Sequence, residues 1–313
     1  MRMARGSLLL TVIWLVCGVV ASAGELAGHK FLITSIRTGD TEIFLVDPHM
    51  GDATNLTRSP QSQERYPCWS PDGLRIAFTS DRDGTYNLYV MNADGSNVRQ
   101  LTHEKPRAVC YAPSWSGDGK RIAFGLHGDK ALICTIAPDG THFQSLGPGH
   151  DPYISPDGKS IAFTGPVDKG YCVFVMEADG GNVRPVTTHV NVMGAVMPTW
   201  SPDGTRIAYT DQVGDALEIF VCNADGSNVR QLTALGKMSS PAAWSPDGKW
   251  LSFRVCDTAF WRNPATSKAA HEEKRPDFRP VYVMGADGSN PHIVEVLQYH
   301  CGIDGSRAAW KPK

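Results

Sequence analysis

Three observations predict an all-β fold for this 313-residue chain, a ring of six four-stranded blades. Nearly the same text is written twice: "WSPDGLRIAFTSDRDGTYNLYVMNADGSNVRQLT" from residue 69 returns as "WSPDGTRIAYTDQVGDALEIFVCNADGSNVRQLT" from residue 200. Its anchor also appears as WSGDG at Trp115, ISPDG at Ile154 and WSPDG at Trp244, giving spacings of 46, 39, 46 and 44 residues. A period of that size is the signature of propeller blades. Within each unit, apolar and polar residues alternate at period two between Asp-Gly pairs, which argues against helical repeats of similar length.

Each element of the blade follows from the text. The first strand, "YPCW", meets a turn, "SPDG", in which Pro71 presets a dihedral angle, and Gly73, after Asp72, supplies positive φ. Strand two is "RIAFTS" and strand three "NLYVMN". A second turn, "ADGSN", contains Asp94 and Gly95 and leads into strand four, "VRQLT". Later copies repeat these turns with Pro202, Asp203, Gly204, Asp225, Gly226, Pro246, Asp247 and Gly248. All of them are read as turn chemistry, not catalysis. Asn55-Leu56-Thr57 fits a glycosylation acceptor but is the blade-ending "NLT" of the repeat.

The two ends complete the count. "RAAWKPK" at the C-terminus matches "PAAWSPDGK" around Trp244 and then stops, whereas residues 30–57 match the rest of the unit and lack only an opening Trp strand. The C-terminal strand is therefore expected to join the N-terminal three. The expected blades are 30–57 with 307–313, then 65–102, 111–147, 151–188, 196–233 and 240–296. Closing the ring removes sheet edges that would otherwise template aggregation.

Composition narrows the function classes. A net charge of −2 offers no basic surplus for nucleic acid. Arg2 and Arg5, the apolar run Leu8 to Val20 and the small residues Ala21, Ser22 and Ala23 form an export signal over residues 1–23. That predicts a periplasmic or secreted chain starting near Gly24. Lipid attachment at Cys17 is disfavoured by the bulk of Val16 before it, and the run is shorter than the roughly 20 residues needed to span hydrocarbon. No later segment is apolar enough to cross a membrane. Cys68, Cys110, Cys134, Cys172, Cys222, Cys256 and Cys301 are odd in number, show no C-x-x-C, and mostly stand where other copies have apolar residues. They read as small buried hydrophobes.

The W-S-P-D-G, I-A-F, Y-V-M-x-A-D-G and L-T pattern resembles the PD40 (WD40-like) repeats of TolB-like six-bladed propellers, over nearly all of residues 30–313. The resemblance implies a periplasmic role in protein binding, while the α/β domain that precedes the propeller of TolB has no room before Lys30. As a function signal a propeller is weak, because the fold hosts many activities.

Strand order sorts the loops. All "SPDG" and "ADGSN" turns fall on one face, called lower, while the links between blades and the two-to-three loops fall on the other, upper face. Four of the six links carry a histidine: His103, His150, His189 and His300. Converging imidazoles could hold a divalent metal, as in the oligogalacturonate lyases that this repeat type resembles. However, those enzymes have seven blades, and no local ligand spacing supports a site here. Asp151 and Asp304 read as turn caps that could complete such a site. No G-x-S-x-G, dinucleotide-binding or phosphate loop occurs. One large break interrupts the pattern, an insertion at residues 256–279 in blade six that brings Phe260, Trp261, Arg262, His271 and Arg275 to the upper face. The expectation is an exported binding or scaffold protein, more non-enzymatic than not and without cofactor, that engages a protein partner through that face. Carbohydrate is the other ligand considered, and a metal-dependent polysaccharide lyase the alternative.

Overall fold

The computed structural model describes residues 26–36, 38–47, 49–50, 52–192, 196–239, 241–256, 280–294, 307 and 309–312. Among the described residues the regular elements are all strands. Blade one consists of Ala309–Trp310, Phe31–Ser35, Glu42–Asp47 and Asp52–Asn55, in that order from the channel outward. Blade two is Glu64–Trp69, Arg75–Ser80, Asn87–Asn92 and Arg99–Gln100, blade three Val109–Trp115, Ile122–His127, Ala131–Ile136 and Gln144–Pro148. Blade four is His150–Ile154, Ser160–Val167, Gly170–Glu177 and Arg184–Pro185, and blade five Thr199–Trp200, Arg206–Val213, Ala216–Asn223 and Arg230–Gln231. Blade six is Ala243–Trp244, Trp250–Cys256, Val281–Gly285 and His292–Ile293.

The repeated I-A-F of strand two explains how blades stack. Successive side chains of a strand point to opposite sides, and both sides of a blade are covered by neighbours. Ile76 and Phe78 pack with Leu32 and Ile43 of blade one, while Ala77 between them joins Cys110, Trp115 and Phe124 of blade three. Blade five repeats this: Ile207 and Tyr209 face blade four, and Ala208 faces blade six. A large side chain meets the preceding blade and a small one the following blade, so the wedge-shaped gaps fill. Each fully buried aromatic or branched side chain contributes roughly 1.5–3 kcal/mol.

The turns are held by a repeated hydrogen-bond set. In the first turn Ser70 donates to Asp72, Asp72 accepts from the Leu74 N–H at 3.0 Å, and Ser70 Oγ accepts from the Arg75 N–H at 2.9 Å. These bonds hold the carboxyl of Asp72 below the usual carboxylate range, as equivalent bonds do at Asp118, Asp157 and Asp203. In the second turn Gly95 has φ +87°, and a Cβ there would lie 2.2 Å from the Leu56 carbonyl oxygen of blade one. Gly226 meets Val186 of blade four in the same way. Glycine is required here both by backbone conformation and by the neighbouring blade.

Polar staples run between blades. Trp200 Nε1 donates to the Tyr153 carbonyl at 3.1 Å and Trp244 Nε1 to the Thr199 carbonyl at 3.3 Å. Arg75 lies over the Trp115 ring at 4.8 Å, and Arg206 over Trp244 at 4.6 Å. The strand-four arginines reach forward as well: Arg99 donates to the Pro138 and Asp139 carbonyls, Arg184 to Ala224 and Arg230 to Asp287.

Ring closure uses the same contacts. Phe31 pairs with Trp310 and Leu32 with Ala309. Trp310 Nε1 donates to the Ala243 carbonyl of blade six at 3.2 Å and to Ser252 Oγ at 2.9 Å, while Lys311 lies over Trp69 of blade two at 5.3 Å. The last strand thus carries the inter-blade staples in both directions.

Two expectations on strand boundaries are corrected. "VRQLT" is a ladder only at Arg99–Gln100, because Thr102 bends the chain away: its Oγ1 accepts from the Leu88 N–H at 2.9 Å and donates to Asn87 at 2.9 Å. The link after blade five holds an unforeseen strand, Met238–Ser239, parallel to blade five at Leu217 and antiparallel to blade six at Cys256. It welds those two blades at the upper face. The six described cysteines are free thiols, and burial pushes those of Cys68, Cys110 and Cys222 up to about 12.

Because Trp310 is buried and bonded to blade six, Trp310→Ala is expected to lower unfolding free energy by about 3–5 kcal/mol in urea titration. An unchanged transition would contradict closure by this strand.

Candidate functional site

The innermost strands are regular at the lower end and irregular at the upper. Where blades two, three, four and five approach their closing Trp or Ile, the residue before a proline adopts positive φ: Tyr66 +52°, Ala112 +48°, Asp151 +50° and Met197 +43°. Pairing shifts register there, between Arg65 and Cys68, Tyr111 and Ser114, and His150 and Tyr153. A bulge of this kind re-aims side chains, and left-handed backbone at non-glycine residues costs about 1–3 kcal/mol each. These four left-handed residues, three of them at bulges, surround the channel mouth, and they differ from blade to blade.

On one side of the mouth the differences form a cluster. Tyr111 of blade three bonds through its hydroxyl to His150 Nδ1 at 3.0 Å. The His150 ring meets Tyr171 edge to face at 5.6 Å and lies 6.4 Å from His127, and Tyr66 lies 6.4 Å from Tyr111. Space for Tyr111 comes from Gly125, where a Cβ would stand 2.4 Å from the tyrosine ring. The equivalent residues of blades two, four and five are Thr79, Thr164 and Thr210. Burial lowers the pKa of His150, with His127 adding to the effect and Asp151 opposing it, so the ring is neutral at pH 7. Burial raises the Tyr111 pKa, which keeps its hydroxyl protonated.

Across the mouth stands Arg307. It precedes the closing strand of blade one by two residues, yet its Nη2 donates to the Pro198 carbonyl of blade five at 3.1 Å and its guanidinium lies over the Tyr153 ring of blade four at 5.3 Å. Blades one and four are opposite each other in a six-membered ring, so Arg307 spans the channel. Beneath it a cavity of about 170 Å³ is lined by Tyr66, Cys68, Ser114 and Tyr153 and by the four indoles of Trp69, Trp115, Trp244 and Trp310. Beside Arg65 and Tyr66, the fully buried Glu64 accepts from Ser62, Ser80 and Arg82, and its burial raises the pKa to about 7.

Comparison with known proteins agrees with this architecture. The family model described as the TolB beta propeller domain, PD40, matches residues 20–151 and 112–259. The chain belongs to this family. A Protein TolB homolog of Chlorobium luteolum is 31% identical over 163 residues, covering 50% of this chain and 36% of the relative. A Tol-Pal system protein TolB of Anaeromyxobacter dehalogenans is 36% identical over 77 residues, covering 25% of this chain and 17% of the relative. The chain thus matches 36% of the length of the first relative and 17% of the second. Among solved structures, a putative TolB from Agrobacterium tumefaciens superposes with a TM-score of 0.68 at 22% identity, covering 89% of this chain and 92% of that one.

Within this TolB-like propeller the expected site residues fall as follows. Phe260, Trp261, Arg262, His271 and Arg275 of the insertion, together with His300 and Asp304, lie outside the described residues. His103 is exposed, His189 pairs with Asp211 at 2.8 Å, and His150 belongs to the tyrosine cluster. Those three histidines therefore have separate surroundings, and among the described residues no group of three or more His, Cys, Asp or Glu could hold a metal. Asp151 caps no turn. It sits on a bulge in the innermost strand, where burial raises its carboxyl pKa against the pull of Arg307, His150 and a hydrogen bond with Thr164. Tyr66, Tyr111, His127, Tyr153, Tyr171 and Arg307 were not expected as site residues. The signal for Tyr111 was a glycine at position 125 where the repeat writes threonine.

The fit of Tyr111 against Gly125 gives a double-mutant test. Gly125→Ala is expected to cost about 1–3 kcal/mol of stability by overpacking, and little in a Tyr111→Ala background. An equal cost in both backgrounds, measured by denaturant unfolding, would disprove the contact.

Proposed function

We propose that this TolB-like propeller is an exported, non-enzymatic protein-binding module that engages its partner at the upper face. The observation that carries this reading is the contrast between the two faces. Lower-face residues are committed to turns and staples repeated from blade to blade, whereas the upper mouth gathers dissimilar residues on strained bulges of a rigid ring. Binding groups concentrate on such positioned irregularities. The names of the TolB relatives, one of them a Tol-Pal system protein, support a protein partner and a periplasmic setting. Arg2, Arg5 and the apolar run after them support export. No helix of the described residues is long and apolar enough to cross a membrane.

The insertion at 256–279 is proposed to add to the same face, because strand two of blade six ends at Cys256, the residue paired with Met238 of the upper link. Phe260, Trp261 and Arg262 are proposed as its contact residues, with His271 and Arg275 adding charge.

A pull-down from periplasmic extract tests the assignment of faces. Tyr66→Ala, and separately the replacement of 258–277 by a Gly-Ser linker, are expected to reduce partner recovery at least tenfold while folding is retained. Val98→Lys and Val229→Lys alter exposed positions beside the lower turns and leave alone Asn97 and Asn228, whose positive φ a lysine would strain. They are expected to bind as the parent does. Loss of partner with the lysine variants alone would place the site on the lower face. For the lyase alternative, protein purified without chelator would have to contain one equivalent of divalent metal, lost on His150→Ala; that result would replace the present reading.

A further inference from the structure

We propose that the channel cavity is a carboxylate-binding site in which Arg307 receives the anion. The proposal extends the binding-module reading and rests on it only where the carboxylate is a partner protein's. Of the described residues that line the cavity, Arg307 alone carries charge at neutral pH. Cys68 is a neutral thiol there, its pKa pushed up to about 12 by burial. The guanidinium is only partly used: Nη2 serves the Pro198 carbonyl, whereas Nε is buried without a hydrogen-bond acceptor. A buried donor left unmatched is costly, and an ionised acceptor is the strongest remedy.

The surroundings select the kind of anion. A single guanidinium, with the Tyr66, Ser114 and Tyr153 side chains as further lining polar groups, suits a planar monoanion better than a tetrahedral dianion. The indoles of Trp69, Trp115, Trp244 and Trp310 and the rings of Pro67, Pro113 and Pro312 offer an apolar wall for whatever carries the carboxylate. The volume of about 170 Å³ admits a small acid or the end of one side chain, not a folded segment. Tyr66, Cys68, Tyr153 and Arg307 are only partly buried, so solvent reaches the cavity. Asp151, which feels the Arg307 charge, makes no ion pair with it among the described contacts and is biased by burial toward its neutral form. With no ion pair formed, it leaves the guanidinium available to an incoming anion.

Two sources share this chemistry: a small free acid, and a carboxylate of a partner polypeptide. Calorimetric titration of the full chain with benzoate against benzamide probes the first, and with acetyl-Gly-Phe against its C-terminal amide the second. The acid of at least one pair is expected to bind at least tenfold more tightly than its amide, a preference worth about 1.4 kcal/mol. Arg307→Gln should remove that preference and Arg307→Lys retain part of it, with thermal unfolding showing that both variants fold. Acid preference with benzoate alone assigns a free acid; preference with the peptide alone assigns a polypeptide. No acid preference in either pair, including no binding at all, or a preference that survives in Arg307→Gln, overturns the proposal. Recovery of the protein partner by Arg307→Gln in the pull-down excludes the polypeptide source, and together with the absence of acid preference in the titrations it would leave the binding-module reading standing while this site fails.

Discussion

The ring depends on the indole that ends an innermost strand and leans on the neighbouring blade. At Trp200, Trp244 and Trp310 the ring nitrogen is bonded to the carbonyl just before the closing residue of the preceding blade. At Trp69, Trp115 and Trp244 the ring face is covered by a cation. A single blade has an apolar surface on both sides and cannot bury either alone. Only a closed ring gives every blade two neighbours, which makes the strand around Trp310 as necessary as any longer element.

That constraint decides where variation is tolerated. The Gly95 and Gly226 positions are held by a neighbouring carbonyl, the strand-four arginines by the next blade's turn, and the Ala of I-A-F by the taper between blades. The upper ends of the innermost strands escape these demands, because the stacking contacts lie below them and the bulges detach them from the ladder. There, blade three exchanges threonine for Gly125 and admits a tyrosine, blade four presents His150 and Asp151, and blade one sends an arginine across the axis. The departures from the repeat coincide with strained backbone at a concave mouth, a combination more readily explained by binding than by folding.

Much of the fold was legible because its determinants are local. The side-chain bonds that shape the Ser-Pro-Asp-Gly turn are local, I-A-F states the alternation, and "RAAW" announces the missing strand. The mouth was less legible because its contacts join residues distant in the chain. Arg307 meets Tyr153 and Pro198, a pairing fixed by the number of blades and by which blades are opposite each other, and neither residue carries a local mark. The sequence marks the link histidines by position alone, whereas His150 takes its character from Tyr111 on the neighbouring blade. In sequence the Asp151-Pro152 pair signals a turn, because Asp-Pro commonly begins turns. Here the same dipeptide forms a bulge within a strand.

The upper mouth as the binding face is tested most directly by amide hydrogen exchange on the complex recovered by pull-down, compared with the free chain. Slowed exchange is expected in segments 62–68, 107–114 and 149–153, with the lower turns at 92–98 and 223–229 unchanged. Protection confined to those lower turns would contradict the account.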